Sequence, residues 1–231
     1  MRRILITGAS RGIGRAIARR LAATGTTLLL HGRDGEALAA AAAEIAGTGA
    51  RAEVLTADLA DPAAVADLAE RALAGGPVDV LVNNAGVPLV KTLGDIGVDE
   101  WQRAVAVNLT APFLLTRALT PAMPRGGSVV NVSSVAGRSA FPGWSAYCAT
   151  KFGLEGFSLA VREELRAAGV RVINVYPAAT ATDLWDHVDG DFDRSRMMPP
   201  EETAEAVAYA LSRPGGVLVD SIQVGGLGGN L

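Results

Sequence analysis

Thr7-Gly8-Ala9-Ser10-Arg11-Gly12-Ile13-Gly14 is the stretch that decides the fold. An apolar run, Arg3–Thr7, precedes it, and a helical pattern, Gly12–Ala23, follows, so it reads as a turn from strand into helix. Glycines permit a tight turn and a close approach of backbone to ligand. The helix N-terminus then offers free N–H groups and positive dipole to a pyrophosphate. The spacing is GxxxGxG rather than GxGxxG, and no Gly-Lys-Ser/Thr occurs in the chain, which excludes a P-loop.

The same alternation continues along the chain. Candidate strands are Arg3–Thr7, Thr27–His31, Ala52–Thr56, Val78–Asn83, Ser128–Ser133, Arg171–Tyr176 and Val217–Gln223. Most lack polar alternation, as strands do when helices cover both faces of a parallel sheet. Helical patterns fill the intervals at about Gly12–Ala23, Gly35–Ala46, Pro62–Ala74, Asp99–Met123, Ala146–Ala168 and Pro200–Ser212. Asp61-Pro62 is a capped helix start, and Gly169 is a stop. The order predicts an α/β, doubly wound Rossmann fold: a seven-stranded parallel sheet in a three-layer α/β/α arrangement. One domain suffices for the 231 residues, with a cofactor part over about 1–135 and a catalytic and substrate part over about 136–231.

Composition narrows the function. A formal net charge of −3 gives no basic footprint for nucleic acid. The one cysteine, Cys148, forms no intramolecular disulfide, and no Cys/His cluster suggests a metal. No apolar run approaches the roughly 20 residues of a membrane span. The first strand begins almost at Met1, leaving no room for a targeting peptide, so a reducing, cytoplasmic setting is expected.

Four further motifs, taken in order, resemble the short-chain dehydrogenase/reductase family over essentially the whole chain. Asn83-Asn84-Ala85-Gly86 follows the fourth strand, and Asn108 lies in the long fourth helix. Ser134 follows the fifth strand, and Tyr147-Cys148-Ala149-Thr150-Lys151 matches YxxxK. The resemblance implies catalysis by Asn108, Ser134, Tyr147 and Lys151. In physical terms, Tyr147 and Lys151 are four apart and share a helix face. A free tyrosine titrates near 10, and a neighbouring ammonium lowers that value, so Tyr147 is expected to exchange a proton with a carbonyl or alcohol oxygen. The resemblance has Lys151 hold the nicotinamide ribose, Ser134 orient the substrate oxygen, and Asn108 hold a water that relays protons to Lys151. Ser133 is the competing serine, and strand alternation lets only one of the pair face the site. Cys148 reads as a small buried helix residue. Trp101 is expected to pack its helix, while Trp144 and Trp185 are candidates to line the pocket.

The resemblance also implies the dinucleotide contacts: Gly8, Ser10, Arg11, Gly12, Ile13 and Gly14 in the turn, Asn84, Ala85 and Gly86 after the fourth strand, and Tyr147 and Lys151. Where NAD-binding relatives place an acid after the second strand, this chain has Gly32, then Arg33. Arg33, helped by Arg11, suits a 2′-phosphate, so NADP(H) is expected. Asp34 reads as the cap of the next helix. Asp58 and Leu59 resemble the pair beside the adenine; Asp58 reads equally as a helix-start acid. Pro177, Thr180 and Thr182 follow the sixth strand, with Thr182 expected at the nicotinamide amide.

Two departures touch the substrate end. Ala178 replaces a usual glycine, and Val224-Gly225-Gly226 lacks the acid of a VDGG ending. Residues 178–199 have no helix or strand period; they carry Asp183, Asp186, Asp189, Asp191 and Asp193 beside Trp185 and Phe192. They read as a lid, or as a disordered acidic loop. The expected activity is that of an NADP(H)-dependent carbonyl reductase on a small-molecule ketone, aldehyde or alcohol. A 3-oxoacyl-thioester reductase and an inactive NADP-binding sensor are the alternatives. The resemblance implies a homodimer or homotetramer joined through the helices at Asp99–Met123 and Ala146–Ala168.

Overall fold

The computed structural model describes residues 2–188, 192–214 and 216–227, so Asp189 and Asp191 of the expected lid lie outside the described residues. The first half of the chain runs β1 (Arg2–Thr7), α1 (Gly12–Leu21), β2 (Thr26–Gly32), α2 (Gly35–Ile45), β3 (Arg51–Thr56), α3 (Pro62–Ala74) and β4 (Val80–Asn83). The second half runs α4 (Val98–Val105), α5 (Ala111–Leu119), β5 (Ser128–Val132), α6 (Ser145–Arg166), β6 (Arg171–Pro177), α7 (Pro200–Leu211) and β7 (Ser221–Val224). The sheet order is β3-β2-β1-β4-β5-β6-β7, parallel throughout.

Strand alternation explains why the runs are apolar on both faces. Ile4 and Ile6 join Leu28, Leu30, Val80 and Val82 in one core with α1, α2 and α7 residues. Leu5, Leu29 and Leu81 point the other way, into a second core with α3 and α5 residues. The chain travels outward from β1 to β3 and returns to place β4 beside β1. That reversal opens a crevice at the C-terminal ends of β1 and β4, the usual ligand position in such sheets.

Local signals act as read. Asp61 accepts from the Ala63 N–H at 2.9 Å with Pro62 in the first turn. Gly169, at φ 72°, follows the end of α6.

Three expectations are corrected. The helix read as Asp99–Met123 is α4 and α5 joined by a π-helical turn, Ala106–Thr110, and followed by a 3₁₀ turn, Thr120–Ala122. Pro112 causes the break: it has no N–H to give the Asn108 carbonyl four residues back. β7 is shorter than Val217–Gln223, because Val217 closes a turn on the Pro214 carbonyl at 2.8 Å before the strand starts. Trp101 is not fully packed by its helix; it keeps 42% of its surface exposed. Among the described residues, no helix is long and apolar enough to cross a membrane.

Candidate active site

The glycine turn and the loop after β4 are built together. The Thr7 hydroxyl donates to the Val82 carbonyl and accepts from the Asn84 and Ala85 N–H groups at 2.9 and 3.0 Å. The Asn84 amide donates to the carbonyls of Thr7 and Gly8 at 2.9 and 3.2 Å. Gly8 adopts φ 67°, and a Cβ there would stand 2.9 Å from the Ala85 Cα. A Cβ on Gly14 would stand 2.2 Å from the Gly8 carbonyl oxygen, so only hydrogen fits. These residues fit a pyrophosphate: a glycine cradle sits at the N-terminus of α1, and Ser10 and Arg11 border the same cleft.

The cleft runs along the C-terminal edge of the sheet. Of the residues singled out in the sequence, Gly8, Ser10, Arg11, Gly12, Ile13, Arg33, Asp58, Leu59, Asn84, Ala85, Gly86, Ser134, Tyr147, Lys151, Pro177, Thr180 and Thr182 all line it. Gly14 lies behind the turn. Asn108 lies behind Gly86, where a Cβ would be 3.4 Å from the Asn108 Oδ1 and 3.9 Å from the Lys151 Nζ.

At the β2 end of the cleft, Arg33 is exposed beside Gly32, and Asp34 caps α2 by accepting from Glu36 and Ala37 N–H groups at 3.0 and 3.1 Å. Asp58 serves both of its readings. It accepts from the Ala60 N–H at 3.0 Å, and it borders the cleft while facing Arg103 at 3.3 Å. The Ala60 bond, then Arg103, hold its carboxyl below the usual range. Arg11 is shared with the lid: it lies 4.0 Å from Asp183 and 3.5 Å from His187.

At the other end, α6 brings in Tyr147 and Lys151, both buried. Lys151 Nζ donates to the Val132 carbonyl at 3.1 Å and lies 5.6 Å from the Tyr147 ring centroid. Burial pushes Tyr147 up to about 12, opposed by the Ser134 hydroxyl, and pulls Lys151 down to about 8. The expected depression of the tyrosine does not appear within the polypeptide: desolvation is the largest cause at both groups, and it moves the lysine toward neutrality. Both serines border the cleft: Ser134 lowers the tyrosine and accepts from the Ala136 N–H at 3.1 Å, whereas the Ser133 hydroxyl is buried with no hydrogen-bond partner among the described residues.

The Asn108 side chain is engaged within the protein. Its Oδ1 accepts from the Val87 N–H at 2.8 Å, and its amide donates to the Val87 carbonyl and the Thr150 hydroxyl at 3.0 and 3.1 Å. It ties the loop after β4 to α6, next to Lys151. The atom of Asn108 left without its α-helical donor is the carbonyl, because of Pro112.

Ala178 needs no left-handed backbone, since among the described residues only glycines have positive φ. The segment 178–199 is not shapeless. It holds short 3₁₀ turns at Asp183–His187 and Arg194–Arg196 and a bridge between Thr180 and Met198. Trp144 and Trp185 both line the cleft, while Cys148 is buried with its thiol toward the Ser139 carbonyl at 3.7 Å. Sequence reasoning missed His31 and Arg103. His31 ends a strand beside the switch point, a signal that was available. Burial lowers it to about 4, so it is neutral near pH 7. Arg103, on a helix far in sequence, carried no signal.

The sequence model of the short chain dehydrogenase family matches residues 2–191. The 3-oxoacyl-[acyl-carrier-protein] reductase of Synechocystis sp. is 36% identical over 219 residues, covering 91% of this chain and 89% of that protein. The alcohol dehydrogenase of Thermococcus sibiricus, solved with 5-hydroxy-NADP, superposes with a TM-score of 0.91 at 29% identity, covering 98% of this chain and 97% of that one. A metagenomic short-chain oxidoreductase solved with NADP superposes at 0.84 with 37% identity, each chain covered to 96%.

Proposed function

Because the chain belongs to the short chain dehydrogenase family, we propose that it interconverts a ketone or aldehyde and an alcohol with NADP(H), acting chiefly as a carbonyl reductase. The carrying observation is that Ser134, Tyr147 and Lys151 meet at the end of a cleft whose other end is the glycine cradle. Reduced nicotinamide, when bound, supplies the hydride for the carbonyl carbon. Tyr147, kept protonated by its burial, donates its proton to the developing alkoxide. Ser134 orients the carbonyl oxygen, and Lys151, titrating near 8, holds or passes a proton beside the tyrosine. Asn108 fixes the floor on which Lys151 rests.

The turn residues Gly8, Ser10, Arg11, Gly12, Ile13 and Gly14 would hold the pyrophosphate. Asp58, Leu59, Asn84, Ala85 and Gly86 would hold the adenosine and ribose side, and Pro177, Thr180 and Thr182 the nicotinamide. Arg33 supports NADP(H) over NAD(H), because it stands at the ribose end while Asp34 is engaged as a cap. Exposed Val98, Trp101, Phe113, Phe152 and Leu159 on α4, α5 and α6 support a homo-oligomer built on these helices. A buried lone Cys148 suits a cytoplasmic setting.

A 3-oxoacyl-thioester reductase is the second reading, favoured by the Synechocystis relative. Steady-state rates with NADPH and NADH across ketones, aldehydes and a 3-oxoacyl thioester test all of this. NADPH-dependent turnover of a ketone or aldehyde is expected. Equal or better rates with NADH overturn the coenzyme assignment, and cofactor binding without turnover favours a sensor.

A further inference from the structure

The chain holds only three Trp, three Tyr and five Phe. Phe141, Trp144, Tyr147 and Trp185 nonetheless line one end of the cleft, and Phe192 packs on Trp185. Trp144 meets the Tyr147 ring edge-on, with centroids 5.6 Å apart. It meets Phe141 at 6.3 Å and Trp185 at 6.0 Å, and Trp185 meets Phe192 at 4.7 Å. They come from the β5–α6 loop, the first turn of α6 and the segment after β6, so chain proximity does not explain the cluster. Trp185 is 8% exposed, and its indole N–H donates to the Thr180 carbonyl at 2.9 Å, which fixes its ring plane. A fixed ring keeps its stacking geometry and loses little freedom when a second ring arrives.

The charges nearby are already engaged. Arg11 faces Asp183 and His187, and Arg194 pairs with Asp186. On the Tyr147 side the cleft is bordered by Val135, Phe141, Trp144, Leu184 and Trp185, which carry no charge, and the Lys151 ammonium there is engaged by the Val132 carbonyl.

From this wall we infer the substrate class: a neutral carbonyl compound bearing an aromatic ring directly on or next to the carbonyl. The inference rests on the reductase reading above and sharpens it. The ring lies among Phe141, Trp144 and Trp185, and its carbonyl is thereby delivered to Tyr147 and Ser134. Edge-to-face contacts are specific to π systems, so a saturated ring of equal size gains the burial but not the contact. The expected discrimination is about tenfold.

Two parallel measurements on the NADPH complex test it. The first compares kcat/KM for phenyl, cyclohexyl and n-hexyl methyl ketones. The second compares the affinities of benzamide and cyclohexanecarboxamide, which keep the carbonyl but are not reduced. Phenyl should exceed cyclohexyl by about tenfold in both. Trp144→Leu and Trp185→Leu should each bring the ratio toward one, and Trp185→Phe, which keeps a ring but drops the indole N–H, should preserve it. Equal affinities for the two amides, or a ratio unchanged in both leucine variants, overturn the inference. Phenyl-selective binding with no ketone reduced keeps the aromatic wall and removes the reductase reading instead. Circular dichroism confirms that each variant compared is folded.

Discussion

Lys151 reaches across from α6 to donate its ammonium hydrogen to the Val132 carbonyl at 3.1 Å, at the last residue of β5. That bond ties the helix carrying Tyr147 to the strand that leads into Ser134. The lysine is thus a strut between two elements of the site as well as a charge within it. Its burial makes the charge expensive, which is why its titration is drawn down to about 8.

The first expected outcome follows from that titration. Free lysine titrates near 10.5, so between pH 8 and 10.5 the unfolded chain binds more protons at this residue than the folded chain. Stability from this residue therefore rises with pH across that window, and the protonated form costs on the order of 3 kcal/mol below it. Urea denaturation of the wild type and of Lys151→Met at pH 7 and pH 10 measures this. The wild type should gain relative to the variant at the higher pH; a constant difference would show that the folded lysine titrates normally.

Tyr147→Phe removes one hydroxyl and keeps the ring that packs on Trp144. Reductive kcat should fall about 10²- to 10⁴-fold, the usual worth of a positioned general acid. NADPH affinity, followed by fluorescence titration, should change by less than about threefold, because the lost proton is used only in the chemical step. Retained turnover would take Tyr147 out of the proposed role.

Arg33→Ala should separate the two coenzymes. Loss of a charge-assisted contact to a 2′-phosphate is expected to lower kcat/KM with NADPH by about 10- to 100-fold. The rate with NADH should hold, since that coenzyme has no phosphate at the position. A parallel fall with both would place Arg33 elsewhere in the binding of the dinucleotide.

Asp34 tests whether a carboxylate next to the ribose end is a cap alone. Its Oδ1 accepts from two N–H groups at the start of α2. Asp34→Ala should lower unfolding free energy by about 1 kcal/mol, and Asp34→Asn by less than about half of that. Neither should alter the NADPH-to-NADH preference; a changed preference would return Asp34 to the ribose.

The order of elements, the parallel sheet, the glycine turn and the YxxxK helix were legible in the sequence because each rests on local chemistry. Apolar runs of strand length, glycines where a side chain has no room, and a four-residue helical spacing need no distant partner to be read. Asp34 was legible as a cap for the same reason. Tertiary structure decided what depends on contacts between segments far apart in the chain. It set the Ser134 hydroxyl against the burial that raises the tyrosine, and it gave Asp58 a second partner in Arg103. It tied the Asn108 side chain to Val87 and Thr150. It gathered Phe141, Trp144, Trp185 and Phe192 from two loops into one wall. It also buried Tyr147 and Lys151, raising the tyrosine and lowering the lysine, because a motif gives the spacing of two groups along a helix but not the loss of water around them.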